Sequence, residues 1–237
     1  MIATLSSTDA TDAGQVSATP LKVAVLASGR GSNLAALLAA RDRGELPVDF
    51  VLVGSDKASA HALQLAETAG IATLALSPRN YPDRRSFDLD LLARIAASGA
   101  EVLVLAGFMR VLDGEALAPW IGRVINIHPS LLPKYRGLHT HRRALEAGDR
   151  EHGASVHYVT AELDGGPVIA QARITVHPGD DEDTLAQRLL PLEHRLLPTV
   201  LSLMASRRLR WSDDGAQLDD QPLRTPLALG EHGLHLP

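Results

Sequence analysis

The chain contains no cysteine in 237 residues. That excludes a disulfide-stapled scaffold, a thiolate zinc centre, an iron–sulfur cluster and a cysteine nucleophile. Aromatic residues make up only 3%, so any core has to be built from Leu, Val, Ile and Ala. No apolar run reaches the roughly 18 residues that a membrane-crossing helix needs, and no membrane partner is expected. Positive charge is also in short supply: 23 Lys and Arg stand against 28 Asp and Glu, a formal net charge of −5. This argues against a protein that binds by neutralising nucleic-acid phosphates. What remains is 45% hydrophobic and 22% charged, an ordinary globular composition whose length fits one large domain with a short appendage.

Residues 1–21 carry no Lys or Arg and no sustained apolar stretch, and are rich in Ser, Thr, Ala and Asp. A secretory signal needs a basic start and an apolar middle, and a transit peptide needs arginines. The expectation is therefore a disordered, solvated N-terminal extension on a cytoplasmic protein. From Ser212 onward Asp, Gly, Pro and His dominate. Residues 211–237 are expected to form a loop-rich strap with at most one hairpin, in which His232 and His235 are solvated rather than metal-bound.

Between these ends, in residues 22–210, short β-rich runs alternate with helical spacing. Strands are predicted at 22–27, 48–53, 71–76, 102–106 and 124–128, and helices at 33–43, 60–69, 81–97 and 114–121. The nearly unbroken apolar run at 102–106 suits a parallel strand covered on both faces. Two further strands, 154–159 and 168–176, flank a turn at Asp164-Gly-Gly-Pro167 and look like an antiparallel pair added to the sheet. A long helix over 180–206 has acids at its start and Arg207-Arg208 at its end, with Pro191 and Pro198 predicting a kink or interruption. The fold class is α/β: an open, mostly parallel Rossmann-like sheet with helices on both faces and an antiparallel pair in the C-terminal half.

Three places can carry chemistry. Ser28-Gly-Arg-Gly-Ser-Asn33 joins the first strand to the first helix, where free helix amides make an anion nest or simply a structural turn. It lacks the Lys of a Walker loop, and Leu34 stands where a dinucleotide fingerprint has its third glycine. Asn126 and His128 alternate on one strand, so both project from the same face while Ile125 and Ile127 point the other way. Together they hold a developing oxyanion, or they are a satisfied polar core pair. Asp164 either caps its own turn or folds over the strand edge and raises the pKa of His128. His139-Thr-His141 has no carboxylate or thiol to complete a metal site, and His157 reads as a strand residue facing a polar neighbour.

Four segments in order resemble the folate-dependent phosphoribosylglycinamide formyltransferases: Leu26-Ala-Ser-Gly-Arg-Gly-Ser-Asn-Leu34, Val104-Leu-Ala-Gly-Phe-Met-Arg110, Asn126-Ile-His-Pro-Ser-Leu-Leu-Pro-Lys-Tyr135 and Glu162-Leu-Asp-Gly-Gly-Pro-Val168. The resemblance spans about residues 22–210 and implies transfer of a formyl group from 10-formyltetrahydrofolate, as co-substrate, to 5'-phosphoribosylglycinamide, without a metal. It implies Asn126, protonated His128 and Asp164 as the catalytic trio, and Gly31, Ser32 and Asn33 as the phosphate site. It also implies Glu193 near the ribonucleotide, and Arg85, Met109, Arg110, Val111, Leu112 and Asn126 as folate contacts. The loop from Thr160 to Asp164 would close over the folate. Arg136 departs from a proline common in the family. The expected assembly is a monomer or homodimer.

The shared core leaves a formyltetrahydrofolate hydrolase, another formyltransferase such as the methionyl-tRNA enzyme, a nucleotide-sensing module or a dehydrogenase as rivals. Too few residues follow Arg207 or precede the first strand for the extra domains that the first two carry, and Leu34 disfavours the last.

Overall fold

The computed structural model describes residues 19–212 and 215–235. Most of the expected N-terminal extension lies outside the described residues, and its last residue, Leu21, already opens the first strand. In chain order the elements are β1 (Leu21–Leu26), α1 (Ser32–Asp42), β2 (Val48–Ser55), α2 (His61–Thr68), β3 (Thr73–Ala75), α3 (Arg84–Ala97) and β4 (Val102–Leu105). There follow α4 (Gly114–Leu117), β5 (Val124–His128), α5 (Thr140–Glu146), β6 (Glu151–Tyr158), β7 (Val168–Thr175) and α6 (Glu182–Ala205). Five short strands complete the chain: β8 (Leu209–Ser212), β9 (Gly215–Leu218), β10 (Gln221–Pro222), β11 (Leu227–Gly230) and β12 (Gly233–His235).

Nine strands form one sheet in the order β12-β11-β7-β6-β5-β4-β1-β2-β3. The strands β1 to β5 run parallel, β6 pairs antiparallel with β5, and β7 pairs antiparallel with β6. Alternate residues of each strand feed opposite cores, which is why β4, and β1 from Val23 onward, read as continuous apolar runs. Val23, Val25 and Val104 pack with Leu34 and Leu37 of α1 and Leu197 and Leu201 of α6. Ala24, Leu26 and Leu103 pack on the other face with Phe87, Leu91 and Ile95 of α3 and Leu117 of α4. Each such fully buried Leu or Val contributes roughly 1.5–3 kcal/mol.

Two expectations are corrected. The segment after Arg210 is not a loop-rich strap: β8, β9 and β10 make a three-stranded antiparallel sheet, and β11 lies parallel to β7 in the main sheet. Leu227 and Ala216 there are buried and supply core contacts that short, aperiodic strands do not advertise. Nor is the long helix interrupted, because α6 runs for 24 residues through Pro191 and Pro198. Each proline forfeits one backbone hydrogen bond. The start is secured by a capping box between Asp181 and Thr184, and packing of buried Leu185, Leu189, Leu196, Leu197, Val200 and Leu201 outweighs the loss.

The strand order reverses at β1, which sits between β4 and β2. Connections leaving the C-terminal ends of β1 and β4 therefore diverge and open a crevice, the usual ligand position in such sheets. Loops 27–31 and 106–113 flank it, with the end of β5 alongside. None of the described helices is long and apolar enough to cross a membrane.

Candidate active site

The geometry starts from strand register. Antiparallel pairing sets Asn126 of β5 opposite His157 of β6, and His128 opposite Ser155. All four side chains share one face of the sheet. His157 Nδ1–H donates to the Tyr158 carbonyl at 2.8 Å, which leaves its Nε2 to accept from Asn126 Nδ2 at 3.1 Å. The second amide hydrogen of Asn126 is then free for another acceptor.

Asp164 reaches this pair from the loop between β6 and β7. Its Oδ2 lies 3.5 Å from His128 Nδ1 and its Oδ1 lies 3.6 Å from His157 Nε2. Oδ2 also accepts the Gly137 N–H at 2.8 Å. The loop closes this tightly because Gly166 has no side chain; a Cβ there would meet the Tyr158 carbonyl oxygen at 2.0 Å. Asp164, Tyr135 and His139 all hold left-handed backbone, with φ of 46°, 55° and 58°. Such strain in non-glycine residues persists only where surrounding contacts impose it.

His128 is 6% exposed and donates from Nε2 to the Tyr135 carbonyl at 2.9 Å. Burial lowers its pKa, and although the Tyr135 carbonyl and Asp164 oppose this, the net direction is below an ordinary histidine. Desolvation here outweighs the one partner anion. Burial alone would raise the Asp164 carboxyl, but the Gly137 N–H and the two imidazole rings facing it hold it below the ordinary aspartate range. The resting pair is thus a neutral imidazole beside a carboxylate, with an oxygen acceptor facing each ring nitrogen. Protonation of that ring would satisfy both acceptors.

These groups form the floor of a cavity of about 750 Å³. Residues 107–112 make one wall, 126–129 the floor, and 137–142 with 162–164 the opposite side. Met109, Arg110, Val111 and Leu112 all line it, and Met109 and Leu138 stand 63% and 67% exposed at its mouth. The mixture of apolar wall and converging polar floor suits a flat heteroaromatic ligand whose reactive end needs hydrogen bonds.

A second cluster lies at the α1 start. Gly31 occupies the N-cap with φ 74°, and no side chain caps the first turn. Nor does the first turn contain an acid, so its amides and dipole remain available to an anion. Asn33 Nδ2 donates to Glu193 Oε2 at 3.0 Å across 160 residues. Burial pushes the Glu193 carboxyl above its ordinary range. Ser28 joins the two clusters, because its hydroxyl accepts the Met109 N–H at 2.9 Å.

The structure brings together Asn126, His128 and Asp164, and separately Gly31, Ser32, Asn33 and Glu193. It does not bring Arg85 to the cavity. That side chain is exposed and pairs with Glu115, because α3 turns it away from the wall, while Arg84 lies 3.9 Å from Asp113. His157, expected as a strand residue facing a polar neighbour, does face one, Asn126, and its place beside Asp164 comes from the β5–β6 register. His141 also lines the cavity, and its Nδ1 lies 2.9 Å from His152 Nε2. Burial, together with His141, pushes His152 down to about 4.

Comparison with known proteins gives a consistent answer. A family model described as formyl transferase matches residues 21–201. Phosphoribosylglycinamide formyltransferase of Escherichia coli (strain K12) is 47% identical over 203 residues, which cover 86% of this chain and 96% of that protein. The trifunctional purine biosynthetic protein adenosine-3 of Drosophila pseudoobscura pseudoobscura is 47% identical over 191 residues, 80% of this chain but 14% of that longer protein. Among solved structures, phosphoribosylglycinamide formyltransferase from Coxiella burnetii superposes with a TM-score of 0.83 at 44% identity, covering 92% of this chain and all of that one.

Proposed function

The chain belongs to the formyl transferase family, and from that premise we propose that it moves the formyl group of 10-formyltetrahydrofolate to the amine of 5'-phosphoribosylglycinamide in purine biosynthesis. The observation that carries this reading is the convergence of Asn126, His128 and Asp164 on the floor of one cavity, beside the anion-ready start of α1.

The ribonucleotide phosphate sits on Gly31, Ser32 and Asn33, and Glu193 meets the ribose side of the same substrate. Its amine then faces the floor of the folate cavity walled by residues 109–112. Attack of the amine on the formyl carbon forms a C–N bond and turns the carbonyl oxygen into an oxyanion. The free N–H of Asn126 donates to that oxygen. His128, neutral at rest, takes up through water the proton shed by the attacking nitrogen and becomes imidazolium as the negative charge develops, because an adjacent anion offsets its desolvation. Asp164 holds that charged ring. Through water His128 returns the proton to N10 as the C–N10 bond breaks. Transfer is direct, with no covalent enzyme intermediate and no metal required.

On this reading the partners are two small molecules, and the protein works in the cytoplasm as a monomer or homodimer. The test is a steady-state assay with glycinamide ribonucleotide and 10-formyltetrahydrofolate, following loss of the formylated donor and release of formate. Donor consumption that depends on the ribonucleotide and yields no formate is the expected result. Formate release without the ribonucleotide would make the protein a hydrolase.

A further inference from the structure

The wall at residues 107–113, between β4 and α4, has no regular secondary structure. Two buried side chains hold its backbone. The Met109 N–H donates to Ser28 Oγ at 2.9 Å, and the Asp113 N–H donates to Asp88 Oδ2 at 2.7 Å. Ser28 is 3% exposed and Asp88, on α3, is 0% exposed. Asp113 in turn caps α4 by accepting the Glu115 and Ala116 N–H groups. Arg110, Val111 and Leu112, between these pins, line the cavity.

A carboxylate with no exposed surface is costly to keep unless something answers its charge. Here burial pushes Asp88 above the ordinary range, while the Asp113 N–H and the guanidinium groups of Arg110 and Arg84 pull the other way. Arg110 lines the cavity, and its guanidinium lies 4.8 Å from the ring centre of Phe87, the residue next to Asp88. Asp88 Oδ1 and Arg110 Nε are both buried without a hydrogen-bond partner among the described residues. Packing of α3 needs no charge at this position, since its neighbours Phe87, Leu91 and Leu92 are apolar. The carboxylate faces the wall, whose Asp113 N–H it accepts.

We propose that Asp88 is a positioning residue for the formyl donor: it pins the Asp113 end of the cavity wall before the ligand arrives. The assignment rests on the folate reading of the cavity given above. Because the phosphate cluster lies across the crevice and is reached through Ser28, Asp88 acts on one substrate and not the other.

The experiment compares Asp88→Ala and Asp88→Asn with the unaltered enzyme, measuring KM for each substrate, kcat and Tm. Asp88→Ala is expected to raise KM for 10-formyltetrahydrofolate at least about tenfold, with KM for the ribonucleotide changed less than about twofold. Asp88→Asn retains an acceptor for the Asp113 N–H and is expected to bring the donor KM back to about threefold above the unaltered enzyme. A folded Asp88→Ala protein with an unchanged donor KM, or with both KM values raised alike, overturns the assignment. If Asp88→Ala fails to fold, a folded Asp88→Asn protein with an unaltered donor KM does the same. An unaltered enzyme that transfers no formyl group overturns the functional reading and this inference together.

Discussion

His128 Nδ1 stands 3.5 Å from Asp164 Oδ2, with both side chains almost fully buried and the other ring nitrogen donating to the Tyr135 carbonyl. The two groups titrate as a coupled unit, so the protons that bind them belong to the pair. Asp164 raises the His128 pKa against a burial effect that lowers it. In Asp164→Asn that support is gone, and protonation of the ring moves to lower pH. The acid limb of kcat/KM should shift down in pH and kcat should fall at least about tenfold. A pH–rate profile of the variant that superimposes on the wild type contradicts the coupling.

Stability should depend on pH through His152, which is 1% exposed and pushed down to about 4. Below the ordinary histidine pKa the unfolded chain binds a proton that the folded chain refuses. Stability therefore falls as pH drops from about 6.5 and levels off near 4, a loss of roughly 3 kcal/mol from this residue. Urea unfolding at pH 7 and pH 4 measures it, and His152→Gln should lose correspondingly less over the same interval. An equally steep loss in the variant places the pH sensitivity elsewhere.

Asn33 links the phosphate cluster to Glu193 through a 3.0 Å hydrogen bond. Asn33→Ala should raise KM for the ribonucleotide about tenfold, near 1.4 kcal/mol, with the donor KM unaffected. A rise confined to the donor KM would move the phosphate site away from α1.

The C-terminal strands are part of the core, which is testable at Leu227, 3% exposed and opposite Ala170 of β7. Leu227→Ala should cost about 2–5 kcal/mol in chemical denaturation. A solvated strap would lose almost nothing.

Much of this was legible before any coordinates. Strand β5 falls at the predicted residues 124–128, because its alternation of Asn126 and His128 with Ile125 and Ile127 is unambiguous. The parallel sheet followed from the alternation of short strands with helices and the nearly continuous apolar run at β4. His157 was legible as a strand residue facing a polar neighbour, but not its partner, because Asn126 lies 31 positions away and local pattern carries no register. Strands β9 to β12 have only two to four residues each, too few for a period to emerge. Arg85 is exposed and pairs with Glu115, a contact between α3 and α4 that local pattern does not carry.

The central claim is that Asn126 and His128 stabilise the charge formed when the formyl group changes hands. One oxyanion donor of this kind is worth ~3–4 kcal/mol. Turnover of Asn126→Ala and His128→Ala, measured with saturating ribonucleotide and 10-formyltetrahydrofolate on proteins whose Tm matches wild type, tests it most directly. The account predicts kcat reduced at least about a hundredfold in each. Near-normal kcat in both would contradict it.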